Sequence, residues 1–587
     1  MTRGLNDEGG GMKMKYRKVS ALIAAACALS MTLAGCGSSS SSDSEKDDGK
    51  LMTVDVFDQP ANYAGIQKGW WAKIIKDRFN IRLNIVAPQV AGGGDQLFDT
   101  RSAAGNLGDI IITNTDNGRL SKLVKSGLVA DMSAYMSGMK WLNKYKGSAD
   151  ALSKLVKRKG VWGFASNVAN DPPTKPSEGS EPTAAPYILW NYYREIGYPA
   201  IPNMDAFLTV LKQMQDVARK ETGKKVYALS LFKDWDNYAM NNASSIAGWF
   251  GYWAQGSAYA KADGSDKQTV LTKDGIYQKT LAWLQKANAM GLVDPDSTTQ
   301  TWDQLGTKVQ DGRVLVSIWR YLGKPRMNTP ENKKKGIGYM LAPLQTMHVY
   351  SQGFTPNGNI AQAICIGSKA KNKQRLVKFI NWLYSPEGVN DSVGYGGGVK
   401  GLQWKLNKKG QLEFTKWGYI QANDSSNPNR MTPKGYGTGP WSKGVCQLNF
   451  TSVNPWSTNP ETGESYSAQL WTTELNRTDP LLEDWRKHMD NAKTDIDYLE
   501  KTHRIDIQPG VSYAAPDEDS QISALRSQVK TIVVSGSWKA AFAKLDADYN
   551  NEINNMIKNG NGLGFSKLQK IDYKIIDQRV ALQKDVK

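Results

Sequence analysis

A strand, a helix and a second strand follow one another at the start of the folded part of the chain. Residues 52–57 form a β-type apolar run, and residues 81–86 alternate between apolar and polar side chains. Between these runs, five apolar side chains recur at helical spacing: Trp70, Trp71, Ile74, Ile75 and Phe79. A helical crossover of this length joins strands that run in the same direction. The sequence therefore predicts an α/β fold built on a parallel sheet.

Polar residues stand where two of the predicted strands end. Residues 110–113 form a third, continuously apolar strand, and residues 52–57 form the first. In open parallel sheets, ligands bind beyond the carboxyl ends of the strands. We therefore expect five polar side chains to face one crevice: Asp58, Gln59, Asn114, Asp116 and Asn117.

The N-terminal region has the layout of an export signal. A basic cluster at residues 13–18 precedes an apolar run at residues 21–33, which is too short to span a bilayer of about 30 Å. The run Leu33-Ala34-Gly35-Cys36 resembles the processing site of bacterial lipoproteins, which implies that Cys36 carries lipid after cleavage. Two or more acyl chains anchor a protein stably, whereas one alone is marginal. A plain secretory signal with an incidental cysteine is the alternative.

A polar segment separates this signal from the folded chain. Residues 37–50 are mostly Ser, Asp, Glu, Lys and Gly with no aromatic residue, so they cannot bury enough apolar surface to fold. We expect a signal peptide at residues 1–35, a flexible tether at residues 36–50 and a folded body from residue 51 onward. No later apolar run reaches 18 residues, so the body is expected outside the bilayer, lipid-anchored on the extracellular face of the cell membrane.

Charge and reactive residues argue against several classes of function. The chain has a net charge of +18, but its Lys residues are dispersed and no run of five or six basic residues occurs, so nucleic-acid binding is not expected. The three His residues have no metal-ligand spacing, and no phosphate-binding loop or nucleophile elbow occurs. We expect no metal, no cofactor and no catalytic residue. Cys365 and Cys446 are compatible either with a disulfide or with two lone thiols.

Aromatic side chains stand beside amides and carboxylates at the ends of two later strands. The run at residues 226–232 leads into Asp234, Trp235, Asp236 and Asn237, and the run at residues 314–318 leads into Trp319 and Arg320. A sugar ring offers an apolar face to an aromatic ring and hydroxyl groups to Asp, Asn and Arg, so this mixture suits a carbohydrate. The alternative is that Trp235 and Trp319 pack in the core.

A series of motifs in fixed order resembles the extracellular solute-binding proteins of bacterial ABC importers. The motifs are Gly108-Asp109-Ile110-Ile111, residues 123–131, 160–164, 187–191, 197–199, 311–316 and 379–388, the last reading Phe-Ile-Asn-Trp-Leu-Tyr-Ser-Pro-Glu-Gly. Residues 395–401 and 522–587 are similar to the large oligosaccharide-binding branch of the family 1 solute-binding proteins. One departure is Tyr192-Tyr193-Arg194, where the family often has a basic-acidic pair.

This resemblance implies a two-lobed periplasmic-binding-protein-like fold with hinge crossings and extra C-terminal helices. The chain would cross between the lobes at residues 161–167 and 337–344. The first lobe would hold residues 51–165 and 345–400. The second lobe would hold residues 166–344 and 401–587, including the C-terminal helices.

The resemblance also implies a function without catalysis. The protein would bind a sugar or oligosaccharide between its lobes and deliver it to the membrane permease subunits of an ABC importer, acting as a monomer. An aromatic residue at the position of Trp319 stacks on the sugar in this family, and Phe354 and Tyr395 are further candidates for the cleft.

Other functions remain open on the residues alone. A surface-tethered glycoside hydrolase needs two carboxylates about 5 to 10 Å apart across the bond it cleaves. Asp234 and Asp236 are the nearest candidates, but they are neighbours on one loop and would not flank a glycosidic bond. An adhesion or wall-binding protein would use the positive charge, and a lipid, a peptide or a polyanion would be a different ligand for the same cleft.

Overall fold

The structure is a computed structural model that describes residues 49–586 except 89, 91–93, 117, 393–396, 424–428 and 517, with the backbone alone for residues 94 and 95. The predicted signal peptide, Cys36 and nearly all of the tether lie outside the described residues, as do Asn117 and Tyr395. Residues 47–587 form one compact unit. Within the described part of this unit, no helix is long and apolar enough to cross a membrane.

The strands and helices alternate through most of the chain. The strands are β1 (Met52–Asp58), β2 (Gly65–Ile66), β3 (Ile81–Val86), β4 (Ile110–Asn114), β5 (Phe164–Ser166), β6 (Ala184–Leu189), β7 (Tyr252–Gln255), β8 (Ala258–Lys261), β9 (Gln268–Thr269), β10 (Val316–Trp319), β11 (Tyr339–Leu341), β12 (Val349–Gln352), β13 (Asn359–Ile366), β14 (Trp404–Leu406), β15 (Leu412–Phe414) and β16 (Ile505–Gln508). The α-helices are α1 (Gly69–Phe79), α2 (Gly94–Ala103), α3 (Arg119–Lys125), α4 (Lys140–Lys144), α5 (Lys146–Leu155), α6 (Trp190–Glu195), α7 (Met204–Thr222), α8 (Asn241–Ala247), α9 (Ile276–Ala289), α10 (Trp302–Gln310), α11 (Arg320–Met327), α12 (Pro330–Lys334), α13 (Lys373–Leu383), α14 (Pro386–Ser392), α15 (Lys416–Asn423), α16 (Thr472–Leu475), α17 (Pro480–His488), α18 (Asp495–Lys501), α19 (Ser520–Ala541), α20 (Asp546–Gly562) and α21 (Ser566–Lys584).

The first lobe is built on a six-stranded sheet with the order β2-β3-β1-β4-β13-β5. Strand β1 pairs in parallel with β3 and with β4, and β13 joins β4 in the antiparallel direction. Successive side chains of a strand face opposite sides of the sheet, so Ile110 and Ile112 join one core cluster while Ile111 joins another. Both faces are therefore covered, and the predicted parallel α/β sheet is confirmed.

Helix α1 is held against the sheet by aromatic residues at the predicted spacing. Trp71 and Ile75 are fully buried, and Asn80 ends the helix in the left-handed conformation at a φ of 49°. Trp70 stacks on Trp441 with 4.3 Å between ring centroids. At Gly69, a Cβ atom would lie 2.2 Å from the Cα of Gly444, so only glycine allows this close approach.

The second lobe is built around an antiparallel sheet with the order β10-β6-β11. Isolated bridges extend it, pairing Tyr227 with Val314 and Leu229 with Val293. Its core cluster also contains Trp538 of α19 and Met556 of α20. The C-terminal helices α19 and α20 are therefore part of the second lobe's core.

The crossings between the lobes lie later in the chain than the sequence predicts. Residues 164–166 belong to the first sheet as β5, and residues 339–341 belong to the second as β11. The first connection therefore lies between Val168, in the first lobe's core, and β6, and the second lies between Val349, in the second lobe's core, and β13. The predicted crossings at residues 161–167 and 337–344 each contain a short strand of a lobe, β5 and β11.

A narrow ribbon of extended chain joins the lobes. Strands β12 and β16 run in parallel, with Val349 opposite Ile505 and Gln352 opposite Gln508. Residues 173–177 add a third segment, since the amide of Ser177 donates to the carbonyl of Gln352 over 2.9 Å. We call β12, β16 and residues 173–177 the hinge ribbon.

Residues 401–587 do not all pack with the second lobe. Trp441, Val453 and Tyr466 are buried in the core of the first lobe. The indole of Trp485 in α17 donates instead to the carbonyl of Leu341 in β11, over 3.1 Å. The predicted assignment of this whole range to the second lobe thus differs from the packing, which divides it between the lobes.

Candidate ligand-binding cleft

Two adjoining cavities of about 380 Å³ each lie between the lobes, within the range usual for small-molecule sites. Both are lined by Gln255 at the end of β7 and by Ala515. We call the cavity beside the hinge ribbon the hinge-side cavity and the one beside α19 the helix-side cavity. Asn359 of the first lobe lines the hinge-side cavity, and Asp116 lines the helix-side cavity. Residues from both lobes therefore face the same space.

Uncharged hydrogen-bonding side chains dominate the hinge-side cavity. Its wall includes Asn167, Ser177, Gln352, Asn359 and Asn454. Backbone hydrogen bonds hold this wall, since the amide of Asn454 donates to the carbonyl of Val168 over 2.8 Å. Amides can donate and accept at once, as the hydroxyl groups of a sugar require.

One tyrosine, Tyr513, and one arginine, Arg579, complete the hinge-side cavity. The guanidinium of Arg579 in α21 lies 4.7 Å from the ring centroid of Trp253 and 6.0 Å from that of Tyr513. The hydroxyl of Tyr513 donates to the Gln578 side chain over 2.9 Å. Burial lowers the pKa of Arg579, and the nearby Tyr350 and Tyr513 act in the opposite direction. The cavity thus offers the flat ring of Tyr513 beside a positive charge.

A buried charge network forms one wall of the helix-side cavity. Arg526 in α19 donates to Glu518 and to Asp572, each at 2.6 Å. Asp572 also accepts from the amide of Ser257 over 2.9 Å. Burial raises the pKa of Asp572, and Arg526 partly offsets that rise. At Gly256, where φ is +58°, a Cβ atom would lie 2.5 Å from the Asp572 carboxylate, so this wall needs glycine.

The predicted crevice residues at the ends of β1 and β4 lie close together. Gln59 accepts from the Thr113 hydroxyl over 2.9 Å and from the Asn114 amide over 3.2 Å. Asp58 is fully buried, with one carboxylate oxygen accepting from the Asn449 amide over 2.8 Å and the other without a partner. Gln59 thus ties the ends of β1 and β4 together and Asp58 ties the end of β1 to the segment at Asn449, while Asp116 faces the helix-side cavity. Their roles in ligand binding stay predictions.

Stability should depend on pH through Asp58. Burial raises its pKa from the ordinary 3.8 to about 7, although the Asn449 amide opposes this rise. The folded protein then holds this proton more tightly than the unfolded chain. The contribution to stability is fully present below pH 4 and is lost as the pH rises through 7, with a ceiling of about 4 kcal/mol.

The urea concentration at the unfolding midpoint should fall between pH 5 and pH 8. We expect this fall to be smaller in Asp58→Asn than in the unchanged protein. Urea unfolding at both pH values measures it. Asp150→Asn, at an exposed position of α5, is the control and should keep the original pH profile. An identical pH profile in Asp58→Asn would contradict the assignment.

The predicted loop at residues 234–237 makes several contacts within the second lobe. Asp234 accepts from the Trp302 amide over 2.7 Å. Asp236 accepts from the Asn241 amide over 2.9 Å and from the Trp538 indole over 2.6 Å, and burial raises its pKa. The amide of Asn237 bonds the carbonyl of Ala239. The carboxylates thus hold α8, α10 and α19 in place.

The predicted stacking residues differ in exposure. Trp319 is 3% exposed and donates to the Ser245 hydroxyl over 3.0 Å, whereas Trp235 is 40% exposed. The two rings lie 6.0 Å apart, centroid to centroid, in one aromatic cluster with Phe232, Trp302 and Tyr321. Neither tryptophan lines the hinge-side or helix-side cavity. Sugar stacking by either residue stays a prediction.

Two further predicted residues belong to the connection between the lobes. Arg320 donates to the backbone carbonyls of Glu178 and Glu181, and its guanidinium lies 4.5 Å from the Trp456 ring. Phe354 is buried at the end of the hinge ribbon. These contacts fix the first crossing, and a ligand contact by either residue stays a prediction.

Several residues of the cavities were not singled out from the sequence. Gln255, Tyr513, Arg526 and Arg579 come from parts of the chain up to 324 positions apart. No spacing motif links such positions, and a tyrosine or arginine on an amphipathic helix has no local signature. The nearest signal is Tyr238, which ends the aromatic loop and lines the helix-side cavity.

A separate cavity of about 650 Å³ lies on the first lobe between α13, α14 and β14. Trp382 and Trp404 line it together with Asp391. Burial and the repulsion of Glu387 raise the pKa of Asp391 to about 8.

Cys365 and Cys446 are both free thiols. In the described part of the chain, no group of three or more His, Cys, Asp and Glu side chains is placed to hold a metal ion.

Solved structures with the same architecture are sugar-related binding proteins of low sequence identity. An HMO-binding, ABC-transporter-associated solute-binding protein from Bifidobacterium longum infantis has a TM-score of 0.57 and 18% identity, covering 91% of this chain and 100% of its own. A Streptococcus pneumoniae ABC-transporter substrate-binding protein in complex with kestose has a TM-score of 0.55 and 14% identity, covering 90% and 99%. An alginate-binding protein has a TM-score of 0.55 and 12% identity, covering 90% and 98%. These likenesses show the fold.

The family follows from the sequence profile. The profile of the bacterial extracellular solute-binding proteins matches residues 63–390, which is more than half of the chain. No curated protein sequence matches the chain. The match covers the six-stranded sheet except β1, the second lobe's sheet and both connections between the lobes. The chain therefore belongs to the bacterial extracellular solute-binding proteins and has their two-lobed α/β fold.

Proposed function

We propose that this protein is a lipid-anchored substrate-binding protein that captures a sugar or oligosaccharide in the cleft and delivers it to the permease of an ABC importer. The observation that carries the proposal is the composition of the two adjoining cavities, in which amides from both lobes face aromatic rings and an arginine. The titles of two similar structures, one HMO-binding and one holding kestose, support a carbohydrate.

The cavity wall suits the two kinds of surface that a saccharide presents. The ring of Tyr513 offers an apolar face for the C–H groups of a pyranose. Asn359 on the first lobe and Gln255 on the second supply donors and acceptors for hydroxyl groups. One saccharide that reached both side chains would bridge the lobes.

Bridging explains how binding would signal to a permease. A ligand that contacts both lobes binds the closed arrangement better than the open one, so it shifts the population toward closure. We place this motion in the hinge ribbon, since β12 begins at Val349 in the second lobe's core and the chain then leads to β13 of the first lobe's sheet. The permease would then distinguish the loaded protein from the empty one.

The lipid anchor keeps the binding protein near its permease. The processing site at Leu33-Ala34-Gly35-Cys36 and the polar run behind it support this part of the proposal. Residues 37–50 separate Cys36 from the folded body, and a random chain of about 14 residues spans about 20 Å, so the body would stay close to the membrane. We propose that it acts there as a monomer.

A binding role also predicts that the saccharide stays intact. The family consists of binding proteins, and two carboxylates of the helix-side cavity, Glu518 and Asp572, both bond Arg526. A hydrolase would need one carboxylate free to hold a proton and another to attack or to activate water. Chromatography of the saccharide after incubation should show no shortened product.

The test is a thermal-shift screen of oligosaccharides, followed by calorimetry on those that stabilise the protein. A ligand at 100 times its Kd adds about 2.7 kcal/mol of stability. Tyr513→Ala should weaken binding by about 1–3 kcal/mol, as truncation of an aromatic anchor does. Tyr419→Ala, outside both cavities on α15, is the matched control and should bind normally. A protein that no saccharide stabilises would contradict the proposal.

A further inference from the structure

The hinge-side cavity contains a positive charge that has no partner of opposite sign among the described residues. Asparagine, glutamine, serine and threonine side chains make up its polar wall, and Arg579 is its one charged residue among those described. No carboxylate lines this cavity within the described ranges. A ligand that enters it therefore meets an uncompensated guanidinium.

The contacts of Arg579 leave most of its donors available. One terminal nitrogen lies 3.5 Å from the side-chain oxygen of Gln508, a long hydrogen bond. The Nε atom is buried and has no hydrogen-bond partner. The flat faces of the group are occupied by Trp253 and Tyr513. The aromatic contacts fix the plane of the guanidinium, and in the described part of the chain no carboxylate pairs with its edge.

The adjoining cavity shows how this chain treats an arginine that serves structure. Arg526 is 7% exposed and bonds two carboxylates, Glu518 and Asp572, within 2.6 Å. The same cleft thus holds one arginine with two acidic partners and another, Arg579, with none. This difference assigns a structural role to Arg526. Arg579, in contrast, is placed to pair with an anionic group of a bound ligand.

Burying an unpaired charge is costly, and a ligand of opposite charge removes that cost. The planar guanidinium prefers groups that accept two parallel hydrogen bonds, namely carboxylates and sulfates or phosphates. Sugar hydroxyls accept single hydrogen bonds and bring no charge. The unpaired edge of Arg579 therefore favours an anionic group over a neutral one.

We propose that the saccharide bound in this cleft carries an acidic group, a carboxylate or a sulfate, that pairs with Arg579. This inference rests on the proposed function and narrows it to acidic saccharides. The neutral amides of the same cavity would bind hydroxyl groups beside the acidic one, and Tyr513 would cover a ring face.

The test is an array of neutral, sialylated, uronate-containing and sulfated glycans, probed with the purified full chain and with variants of Arg579. Calorimetry then measures affinity for the glycans that bind. Arg579→Gln should lower affinity for an acidic glycan about 30-fold or more, as loss of one partner of a buried charge pair does. Arg579→Lys keeps the charge and should retain the preference for acidic glycans.

The matched control is Lys574→Gln, which removes the same charge from an exposed position of α21 and should leave affinity unchanged. Circular dichroism checks that each variant is folded. The sialylated, uronate-containing and sulfated glycans identify which acidic group pairs with Arg579. The inference is supported if the protein prefers any of them and Arg579→Gln lowers the affinity for that glycan.

The remaining outcomes overturn it. Binding of neutral glycans alone, or acidic binding that Arg579→Gln leaves unchanged, would refute the acidic ligand while the carbohydrate-binding function stands. Binding of no glycan on the array would refute both the acidic ligand and the proposed function.

Discussion

Replacing Arg526 with methionine is expected to lower the free energy of unfolding by about 3–5 kcal/mol, because the change leaves a buried carboxylate without its partner. Asp572 is fully buried, and Arg526 is 7% exposed. Together with Glu518 they join α19 to α21, and Asp572 extends the link to the amide of Ser257 at the start of β8. The loss is therefore expected to loosen the wall of the helix-side cavity as well.

Urea and thermal unfolding followed by circular dichroism measure this effect. Lys335→Met is the control, since Lys335 pairs with Glu331 at an exposed position, where solvent and salt screen the attraction and its loss should cost little stability. Adding Asp572→Asn to Arg526→Met should recover part of the loss, because the unpaired charge is gone. A loss in Arg526→Met no larger than in Lys335→Met would show that the network contributes nothing to stability.

Trp319→Ala is expected to destabilise the second lobe by about 3–5 kcal/mol, the usual cost of emptying a large buried position. Trp319 is 3% exposed, and its indole donates to Ser245 of α8 over 3.0 Å. Its ring also packs edge-on against Phe232 at 5.7 Å between centroids. Removing it would leave a cavity between β10 and α8.

The same substitution at Trp235 separates packing from binding. Trp235 is 40% exposed, so Trp235→Ala should cost much less stability. If Trp235 stacks on a sugar ring, its loss should weaken binding by about 1–3 kcal/mol. Thermal unfolding and calorimetry with the same saccharide measure both quantities in both variants. A Trp319→Ala protein that melts like the original but has lost its affinity would reverse the assignment of Trp319 to the core.

Local periodicity was enough to predict the first strands and the first helix of the fold. The spacing of Trp70, Trp71 and Ile75 predicted α1, and the runs on either side predicted β1 and β3. These signals are strong because each face of the sheet is buried and each side chain faces a set side. The motifs in fixed order supplied the two-lobed architecture, which the family match confirms.

The crossings could not be placed in the same way. Strands β5 and β11 are three residues long, and each belongs to its lobe through partners far away in the chain. Ala165 pairs with Ala363, and Met340 pairs with Ile188. A run of only three residues is too short to show the alternating pattern that distinguishes a strand from a connecting segment. The ends of the lobes therefore depend on pairing with distant strands.

The sequence predicted which kinds of side chain would form the candidate site better than it predicted which positions in the chain would supply them. Polar residues at strand ends serve either a ligand or the fold, and the sequence pattern is the same in both cases. Asp58 and Gln59 bond backbone and side-chain groups of the first lobe, whereas Asp116 faces the helix-side cavity. The cleft also takes Arg526 and Arg579 from helices some 300 residues beyond β7, and only the folded chain brings them there.

The most direct test of the account is a crystal structure of the protein with an oligosaccharide that stabilises it. The account predicts electron density for the saccharide between the lobes, with Gln255 and Asn359 bonding its hydroxyl groups and Tyr513 against a ring face. Density for the saccharide in the cavity beside Trp382 and Trp404 on the first lobe, with the cleft empty, would contradict the account.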